Sequence, residues 1–321
     1  MISHSTISVI ISTYNRHEIL EKTLKHTEQL SHPSFEIIIV DQSDKPLEKS
    51  IFVSNPRIRY FHVESKGLPL ARNFGLSKAR GEITIFCDDD IIPTHQWLEA
   101  YETNYSDPNV GGVAGRVIEN SGESHIAAVG KINRVTGRQI DNFNSDIPGE
   151  IDHGMGCNLS FRTEVIRKLN GFDTRFGGTA FLEETDACLR VKTFGYKLKF
   201  EPTANVIHLK AENGGCRPRS LCDWYYWYAH NYSLLFFKNF SRFAFPIFLV
   251  FRIANIVHGG FKNRQLNIIF SGLKGLVDGM NSYYNRDSDS NFLLTQSLNP
   301  QVNTEYSRTT LRSRKKLTTN S

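Results

Sequence analysis

The stretch ITIFCDDD, residues 83–90, decides the fold, because an apolar run typical of a buried strand ends in three consecutive carboxylates. A buried strand tolerates no unpaired charges, and neighbouring carboxylates repel one another. Asp88, Asp89 and Asp90 are therefore expected to hold a cation or to face a polar cleft. The carboxyl ends of parallel strands are where open α/β sheets bind ligands. The alternative is an acidic loop that caps the next helix.

Strand and helix patterns alternate on the N-terminal side of this stretch. Residues 7–11 form a short β-branched run that is followed by a polar turn and a helical pattern. Residues 35–40 form a continuous apolar strand of the kind that parallel sheets bury on both faces. Residues 58–63 and 70–79 supply a further strand and helix. This alternation predicts a doubly wound α/β domain.

Beyond about residue 110 the pattern changes. Glycines and polar residues fill the sequence as far as Pro148, which predicts loops over the cleft. Two more helices are predicted, one over residues 163–169 and one that opens at Glu183, where the helix dipole favours acidic side chains.

Length and composition predict three segments. The 321 residues are enough for one large α/β domain with an appendage. We predict an α/β domain over residues 1–215 and a helical extension, rich in aromatic and basic residues, over 216–298. Residues 299–321 form a basic tail that is predicted to be disordered.

Composition also disfavours several classes of protein. Hydrophobic residues at 40% and charged residues at 22% are ordinary globular values, unlike those of disordered or polytopic membrane proteins. Five cysteines without a Cys-x-x-Cys pair argue against a disulfide framework and favour a reducing compartment. No basic region precedes the first apolar run, so export is not expected. The net charge of +5 comes with no groove-reading motif, so nucleic-acid binding is disfavoured.

These motifs, in this order, resemble the family 2 glycosyltransferases, in particular bacterial sugar transferases of polysaccharide biosynthesis. The matching stretches are residues 8–16, 40–41, 71–75, 88–90, 171–173 and 183–190. The resemblance covers roughly residues 5–210. It implies the glycosyltransferase-A fold, a Rossmann-like domain whose mixed, mainly parallel sheet is flanked by helices, followed here by a C-terminal helical, membrane-proximal extension.

The resemblance also implies which residues bind the nucleotide sugar. They are Thr13, Tyr14, Arg16, Asp41, Arg72, Asn73, Asp88 and Asp89. In the family the acidic residue after the second strand, here Asp41, hydrogen-bonds the base, and one carboxylate of the Asp-x-Asp motif contacts the ribose. Taken by itself, Asp41 is more typical of an Asx-turn. Arg72 is equally typical of a surface arginine on a helix.

A divalent cation, magnesium or manganese, is the cofactor that the resemblance implies. Its expected ligands are Asp90, Asp88 and His208, which follows an apolar pair near the end of the matching region. Carboxylates together with substrate phosphates suit hard cations. The ion stabilises the negative charge that develops on the departing nucleoside diphosphate. Taken by itself, His208 is more typical of a core histidine.

The family supplies a general base from a Glu-Asp pair, which aligns here with Glu183 and Glu184. A sugar hydroxyl is a poor nucleophile and must lose its proton as the new bond forms, so a base is required. Glu184 is the first choice and Glu183 the second. Asp186 is read as structural, because it can pair with Arg190 at i, i+4. A single displacement of this kind inverts the anomeric centre, as the family generally does.

The C-terminal third combines aromatic and basic residues. Residues 224–228 are all Trp or Tyr, and Lys238 and Arg242 follow a Leu-Phe run. Such a composition suits a membrane interface, and the alternative is a helical subdomain that packs its aromatics on the core. The apolar run 243–251 is too short to span a bilayer, and Arg252 interrupts its continuation.

A saccharide acceptor on a lipid carrier, at the cytoplasmic membrane surface, would explain this composition. The predicted location is cytoplasmic, peripheral at the inner face of the cell membrane. Two other functions remain open. A polyprenyl-phosphate sugar synthase would need Glu184 less, because its acceptor is a phosphate. A non-catalytic membrane-associated binding protein would be expected to have lost the acidic cluster or the base, and both are present.

Overall fold

The computed structural model describes residues 5–119, 128–211, 214–285 and 302–306. The strands are β1 Ile7–Thr13, β2 Phe35–Asp41, β3 Ile58–Val63, β4 Ile83–Asp88, β5 Ile91–Pro93, β6 Val110–Ile118, β7 Lys131–Ile132, β8 Gln139–Ile140, β9 Gly149–Glu150, β10 Asn158–Arg162, β11 Lys197–His208 and β12 Val302–Tyr306. The helices are α1 His17–Thr27, α2 Leu68–Lys78, α3 Trp97–Asn104, α4 Thr163–Lys168, α5 Glu183–Thr193, α6 Leu221–Asn239, α7 Phe245–Lys262 and α8 Asn267–Tyr284. Short 3-10 helices lie at Lys49–Ile51 and Arg242–Ala244.

A large mixed sheet organises the chain. Its strands stand in the order β12-β3-β2-β1-β4-β10-β6-β11-β5, and β9 pairs with β11 beside this path. Four strands, β3, β2, β1 and β4, pair in parallel. β10 is antiparallel to both β4 and β6, so β6 and its parallel partner β11 run in the same direction as β4. β5, β9 and β12 are antiparallel to their partners. The predicted mixed, mainly parallel sheet flanked by helices is confirmed.

Burial explains why the N-terminal elements form where the pattern predicts them. Ile37, Ile38 and Ile39 of β2 are fully buried, as expected of a parallel strand that is covered on both faces. α1 is amphipathic and buries Leu20 and Leu24. The core of the sheet therefore follows directly from the apolar runs.

The polar strand ends meet at one edge of this sheet. In the β1–β4 register Ser12 lies opposite Asp88, and in the β1–β2 register Thr13 lies opposite Asp41. The acidic residues that follow β4 thus lie beside the polar end of β1, at the carboxyl ends where α/β sheets bind ligands.

The loop prediction for residues 110–148 was wrong at its start, where Val110–Ile118 forms the strand β6. β6 lies inside the sheet between β10 and β11, and its glycines allow close packing of the neighbouring side chains. A Cβ on Gly112 would lie 2.7 Å from a Leu198 methyl carbon and 2.8 Å from the Phe161 ring. Glycine in a strand often marks such a close approach, which depends on tertiary neighbours that the local sequence does not reveal.

Helices α6, α7 and α8 form most of the segment predicted as the extension, residues 216–298. They pack on the preceding domain, since one apolar cluster joins Phe236 of α6 to Phe176 and Leu182. α8 lies so close to α6 that a Cβ on Gly275 would collide with an α6 carbonyl. Packing of aromatics on the core, the alternative considered above, therefore accounts for the inner face of α6. The domain boundaries themselves stay a prediction.

The structure describes a small part of the segment predicted as a disordered tail, residues 299–321. Residues 302–306 form β12, which adds to β3 as an antiparallel edge strand. The other residues of that segment lie outside the described residues.

One helix of the described residues, Arg242–Lys262, is long and apolar enough to cross a membrane by length and composition alone. It comprises α7 and the turn before it. The sequence predicted no span here, because the apolar run 243–251 is short and Arg252 interrupts its continuation. Arg252 is 2% exposed, and its Nη1 donates a hydrogen bond of 2.8 Å to the Tyr228 hydroxyl. Only 28% of the most apolar 18-residue segment of this helix is buried.

Candidate active site

A cavity of about 680 Å³ opens at the carboxyl ends of β1 and β4. It is lined by seven residues that sequence analysis assigned to the site: Thr13, Tyr14, Arg16, Asp88, Asp89, Asp90 and His208. Gln42, Lys210, Cys216 and Arg217 also line it and were not predicted. The cavity combines three cations with three carboxylates, which suits a ligand that carries phosphates and arrives with a metal ion. We refer to it as the donor cavity.

A second cavity, of about 310 Å³, adjoins the donor cavity. Both cavities are lined by Asp88 and His208, which therefore stand at their junction. The second cavity is lined in addition by Arg72, Gln139, Asp141, His153, Cys157, Glu183 and Glu184. The two predicted bases thus lie on the opposite side of Asp88 from Tyr14 and Arg16. We refer to this space as the acceptor cavity.

Asp89 ties the acidic cluster to the end of β1. Thr13 Oγ1 donates a hydrogen bond of 2.6 Å to Asp89 Oδ2, and Arg16 Nη1 lies 3.1 Å from Asp89 Oδ1. Burial raises the pKa of Asp89 to about 6, against the opposing effects of Thr13 and Arg16. Because both of its oxygens have protein partners, Asp89 positions the cluster instead of offering a free ligand atom.

Asp90 and His208 form the interior of the junction. Asp90 Oδ1 lies 3.2 Å from His208 Nε2, and Asp90 Oδ2 accepts a hydrogen bond of 2.9 Å from the Ala211 amide. Burial alone would raise the pKa of Asp90, but His208, Ala211 and Arg16 lower it overall. Burial alone would lower the pKa of His208, but Asp90, Asp88 and Glu119 raise it overall. Each group therefore favours the charged form of the other.

The donor atoms at the junction fit a divalent cation. Ligand atoms of Asp88, Cys157 and His208 all lie within 4.8 Å of one another. Asp88 and His208 suit a divalent ion, whereas burial raises the pKa of the Cys157 thiol well above its ordinary value, so Cys157 is the weakest ligand of the three. Asp90 Oδ1 is buried beside them, 3.2 Å from His208 Nε2, and makes no well-aligned hydrogen bond within the part of the chain that the structure describes. A divalent cation could take the place of the imidazolium proton as the partner of this oxygen. The predicted ligands Asp88, Asp90 and His208 thus come together, and Cys157 joins them.

The carboxylates at the start of α5 differ sharply in their surroundings. Glu183 is fully buried and paired with Arg72, whose Nη2 also donates a hydrogen bond of 2.9 Å to the Gly156 carbonyl. Glu184 is less buried and lines the acceptor cavity. Burial raises the pKa of Glu184 to about 7, with Arg72 opposing and Asp88 adding to the rise. A carboxylate with this pKa and this exposure is suited to general-base work.

The backbone before this pair adopts an unusual conformation. Ala180 and Leu182 have φ values of 58° and 77°, in the left-handed region that non-glycine residues avoid. Leu182 is fully buried, so its packing maintains the strained turn. Strain of this kind is concentrated at functional sites, and here it sets the direction in which α5 begins.

Asp41 and Asn73, which were predicted to bind the nucleotide, are not brought to either cavity. Asp41 accepts hydrogen bonds from the Ser43 amide at 2.8 Å and the Tyr60 hydroxyl at 2.7 Å. This is the Asx-turn alternative. Asn73 bonds the amide and carbonyl of Phe172, each at 2.7 Å. Both side chains are buried and make their hydrogen bonds within the protein, so they support the site without lining it.

Arg72 is placed differently from its prediction as a nucleotide-binding residue. It is buried and lines the acceptor cavity, with Nη2 3.5 Å from Asp88 Oδ1. Burial alone would lower its pKa, but Glu183 and Asp88 raise it. Arg72 therefore connects the acidic cluster to the α5 carboxylates.

Known proteins are similar to this chain in sequence. A family model described as glycosyl transferase family 2 matches residues 8–169, about half of the chain. The pre-mycofactocin glycosyltransferase of Mycobacterium tuberculosis is 28% identical over 64% of this chain, and the match spans 43% of that relative's length. The glucosyl-dolichyl phosphate glucuronosyltransferase of Haloferax volcanii is 22% identical over 63% of this chain and 68% of its own.

Solved structures share the fold. A Pyrobaculum calidifontis mannosyltransferase, in complex with GDP-Man and Mn²⁺, aligns over 87% of this chain and 76% of its own with a TM-score of 0.54 and 16% identity. TarS 1–349 of S. aureus, in complex with UDP-GlcNAc, aligns over 87% of this chain and 81% of its own with a TM-score of 0.61 and 14% identity. The expected glycosyltransferase-A fold is confirmed.

Proposed function

The chain belongs to glycosyl transferase family 2, and from that premise we propose that it transfers a sugar from a nucleoside diphosphate sugar to a hydroxyl of a saccharide acceptor. The observation that carries the proposal is the junction of the two cavities. A donor cavity with cations and an acceptor cavity with a high-pKa carboxylate meet at Asp88 and His208. A sugar bridging that junction would expose its anomeric carbon between the leaving diphosphate and the base.

The donor cavity has the parts that a nucleoside diphosphate requires. Tyr14 offers an aromatic ring for the nucleoside, and Gln42, whose amide bonds the Gly67 backbone, shapes the adjoining wall. Arg16, Lys210 and Arg217 supply positive charge for the phosphates. Two fold neighbours are complexes with GDP-Man and UDP-GlcNAc, which supports this ligand class without choosing the base.

Asp88, Asp90 and His208, with Cys157 beside them, would hold magnesium or manganese. When bound, such an ion stabilises the charge that develops on the departing diphosphate. Arg16 and Lys210 add positive charge on the donor side of the junction. The complex of the Pyrobaculum neighbour with Mn²⁺ supports the class of cofactor.

Glu184 is proposed as the general base. It takes the proton from the acceptor hydroxyl while the oxygen forms a bond to the anomeric carbon. The bond from that carbon to the phosphate oxygen breaks, and the nucleoside diphosphate leaves with the electron pair. One displacement of this kind inverts the anomeric centre. Glu183 is the weaker candidate, because its carboxylate is paired with the Arg72 guanidinium.

We extend the proposal to a lipid-linked saccharide acceptor used in cell-surface polysaccharide synthesis, at the cytoplasmic face of the membrane. The haloarchaeal relative, by its name, acts on glucosyl-dolichyl phosphate, which supports a lipid-linked acceptor. A polyprenyl-phosphate sugar synthase is the second candidate. The raised pKa of Glu184 favours the first, because a phosphate acceptor needs no base.

The direct test is consumption of a donor by the purified full chain. UDP-, GDP- and dTDP-sugars are incubated singly with Mn²⁺ or Mg²⁺, with and without a lipid-linked saccharide, and the released nucleoside diphosphate is measured. We expect one donor to be consumed. If no donor is consumed under any of these conditions, the non-catalytic binding protein becomes the better interpretation.

Removing divalent ions should abolish this turnover. We expect EDTA to stop nucleoside diphosphate release and added Mn²⁺ or Mg²⁺ to restore it. Asp90→Asn should weaken Mn²⁺ binding by about tenfold or more, since even residues that only orient metal ligands have effects of that size. Binding is measured by the electron paramagnetic resonance signal of free Mn²⁺. Unchanged affinity in this variant would remove Asp90 from the ligand set.

The rate should depend on pH through Glu184. The carboxylate is the active form and its pKa is about 7, so kcat/KM should fall about tenfold per pH unit below 7 and level off above it. The measurement is the pH profile of initial rates at saturating metal. A limb centred near pH 4.5, the ordinary value for glutamate, would contradict the assignment.

A further inference from the structure

The outer surfaces of α7 and α8 carry large apolar side chains that face solvent. Phe243, in the turn before α7, is 98% exposed, and Ile247 and Val250 follow it at i+4 and i+7. On α8, Phe270 and Val277 are exposed at the same seven-residue spacing. This spacing places each set along one side of its helix. We refer to these residues as the apolar face.

Both helices are held in place by their opposite sides. The Arg252 guanidinium lies 3.9 Å from the centroid of the Tyr232 ring, and its Nη2 donates a hydrogen bond of 3.0 Å to the Thr136 carbonyl. On α8, glycines pack against the other helices, and a Cβ on Gly272 would lie 2.7 Å from an Ile256 methyl carbon. The apolar face is therefore fixed outward, and it cannot turn inward without breaking these contacts.

These contacts also argue against a membrane-spanning α7. To cross a bilayer, α7 would have to leave the protein and carry Arg252 into the hydrocarbon without its partners Tyr228 and Tyr232. A charged side chain at the centre of a membrane is costly. A helix that lies flat with one apolar side in the lipid keeps every one of these contacts.

The charge around the apolar face identifies its partner. Residues 241–285 contain five Lys or Arg side chains, of which Arg252 is buried, and a single acidic one, Asp278. The Asp278 carboxylate accepts a hydrogen bond of 2.9 Å from the Tyr226 hydroxyl of α6. Lys262 and Lys274 are exposed beside the apolar residues. Two copies of such a surface would repel each other, whereas a bilayer with anionic headgroups matches both its apolar and its basic parts.

We infer that the apolar face of α7 and α8 docks the protein on an anionic lipid bilayer as a flat, non-spanning surface. This deepens the membrane location proposed above by naming the surface and the lipid charge. α6 connects this surface to the active site, since Trp227 packs against Gly177 and Gly178 of the loop that leads to Glu184. Docking would therefore hold the acceptor cavity close to the membrane, one helix away from it.

The test is vesicle co-sedimentation of the full chain, in EDTA and without a nucleotide sugar. We expect binding to vesicles of phosphatidylglycerol and phosphatidylcholine, weaker binding to phosphatidylcholine alone, and loss of binding as salt rises. Val250→Glu and Phe270→Glu should each weaken binding about tenfold or more, because an apolar contact is lost and a repelled charge is added. Phe194→Glu, at a phenylalanine that is also exposed but lies on another part of the surface, should leave binding unchanged.

The basic rim is tested separately. Lys262→Gln and Lys274→Gln should each weaken binding to the anionic vesicles about fivefold and leave binding to neutral vesicles unchanged. Folding of each variant is checked by circular dichroism. Glu184→Gln should bind vesicles as the unmodified chain does, so a failure of the proposed activity and a failure of docking are distinguishable.

Three outcomes would overturn the inference. The first is no binding to anionic vesicles. The second is full binding by Val250→Glu and Phe270→Glu, which would assign the attachment to the basic sequence beyond residue 285. The third is a dimer in solution that Phe270→Glu dissociates without any change in vesicle binding, which would make the surface an interface between two copies.

Discussion

Glu184→Gln should slow sugar transfer by about 10²–10⁴-fold, the range that a positioned general base contributes. Glutamine keeps the size and shape of the side chain but cannot take a proton. The effect should fall on kcat, because donor contacts lie across the junction on the side of Tyr14 and Arg16. The measurement is the initial rate of product formation at saturating donor, acceptor and metal. In this variant the acidic limb of the pH profile should disappear.

Two controls separate catalysis from structure. Glu164→Gln removes an exposed carboxylate of α4 that only pairs with Lys168, and it should leave the rate unchanged. Glu183→Gln should change thermal stability as well as rate, because Glu183 is buried against Arg72. If Glu184→Gln retains full activity with a saccharide acceptor, the base lies elsewhere. If the unmodified chain transfers sugar to a phosphate acceptor and not to a saccharide, the polyprenyl-phosphate sugar synthase would be the better interpretation.

The strand ends explain how much of the site the sequence could predict. Apolar runs that end in polar residues placed Thr13 and Asp88 at one edge of the sheet, as the structure confirms. The apolar run of a strand does not reveal which side chain at its end faces the ligand. Asp41 turns inward to Tyr60 and Ser43, whereas the next residue, Gln42, lines the donor cavity. Successive side chains alternate in direction, so an error of one residue exchanges an inner for an outer position.

Residues that reach the site through long-range pairing were not predictable in this way. Cys157 joins the junction because β10 pairs antiparallel with β4, with Asn158 opposite Cys87. Nothing near Cys157 in the sequence indicates that register. The strand β6 was not predicted for the same reason. Its glycines are explained by close contact with residues more than forty positions away in the sequence, such as Phe161. Local patterns report local structure, and these features depend on strand order.

Arg72→Met should destabilise the protein by about 3–5 kcal/mol, the size expected when one partner of a buried ion pair is removed. Arg72 and Glu183 are both buried, and the guanidinium also bonds the Gly156 carbonyl. Methionine fills similar space without charge, so Glu183 is left unpaired and must keep its proton. Burial already raises the pKa of Glu183 well above its ordinary value, and Arg72 opposes that rise. The measurement is the free energy of unfolding from urea denaturation.

We also expect the stability of Arg72→Met to depend on pH and to be restored by a second substitution. In Arg72→Met the folded state keeps a proton on Glu183 that the unfolded state releases above about pH 4.5. Stability should therefore fall as pH rises beyond that value, over a wider pH range than in the unmodified chain, where Arg72 opposes the rise of the Glu183 pKa. Arg72→Met combined with Glu183→Gln removes the unpaired carboxyl and should recover much of the loss and abolish this slope. Arg80→Met, at an exposed arginine, should change little. Simple addition of the two single effects would show that the pair is not coupled, and α5 would then be held by its strained turn and its packing alone.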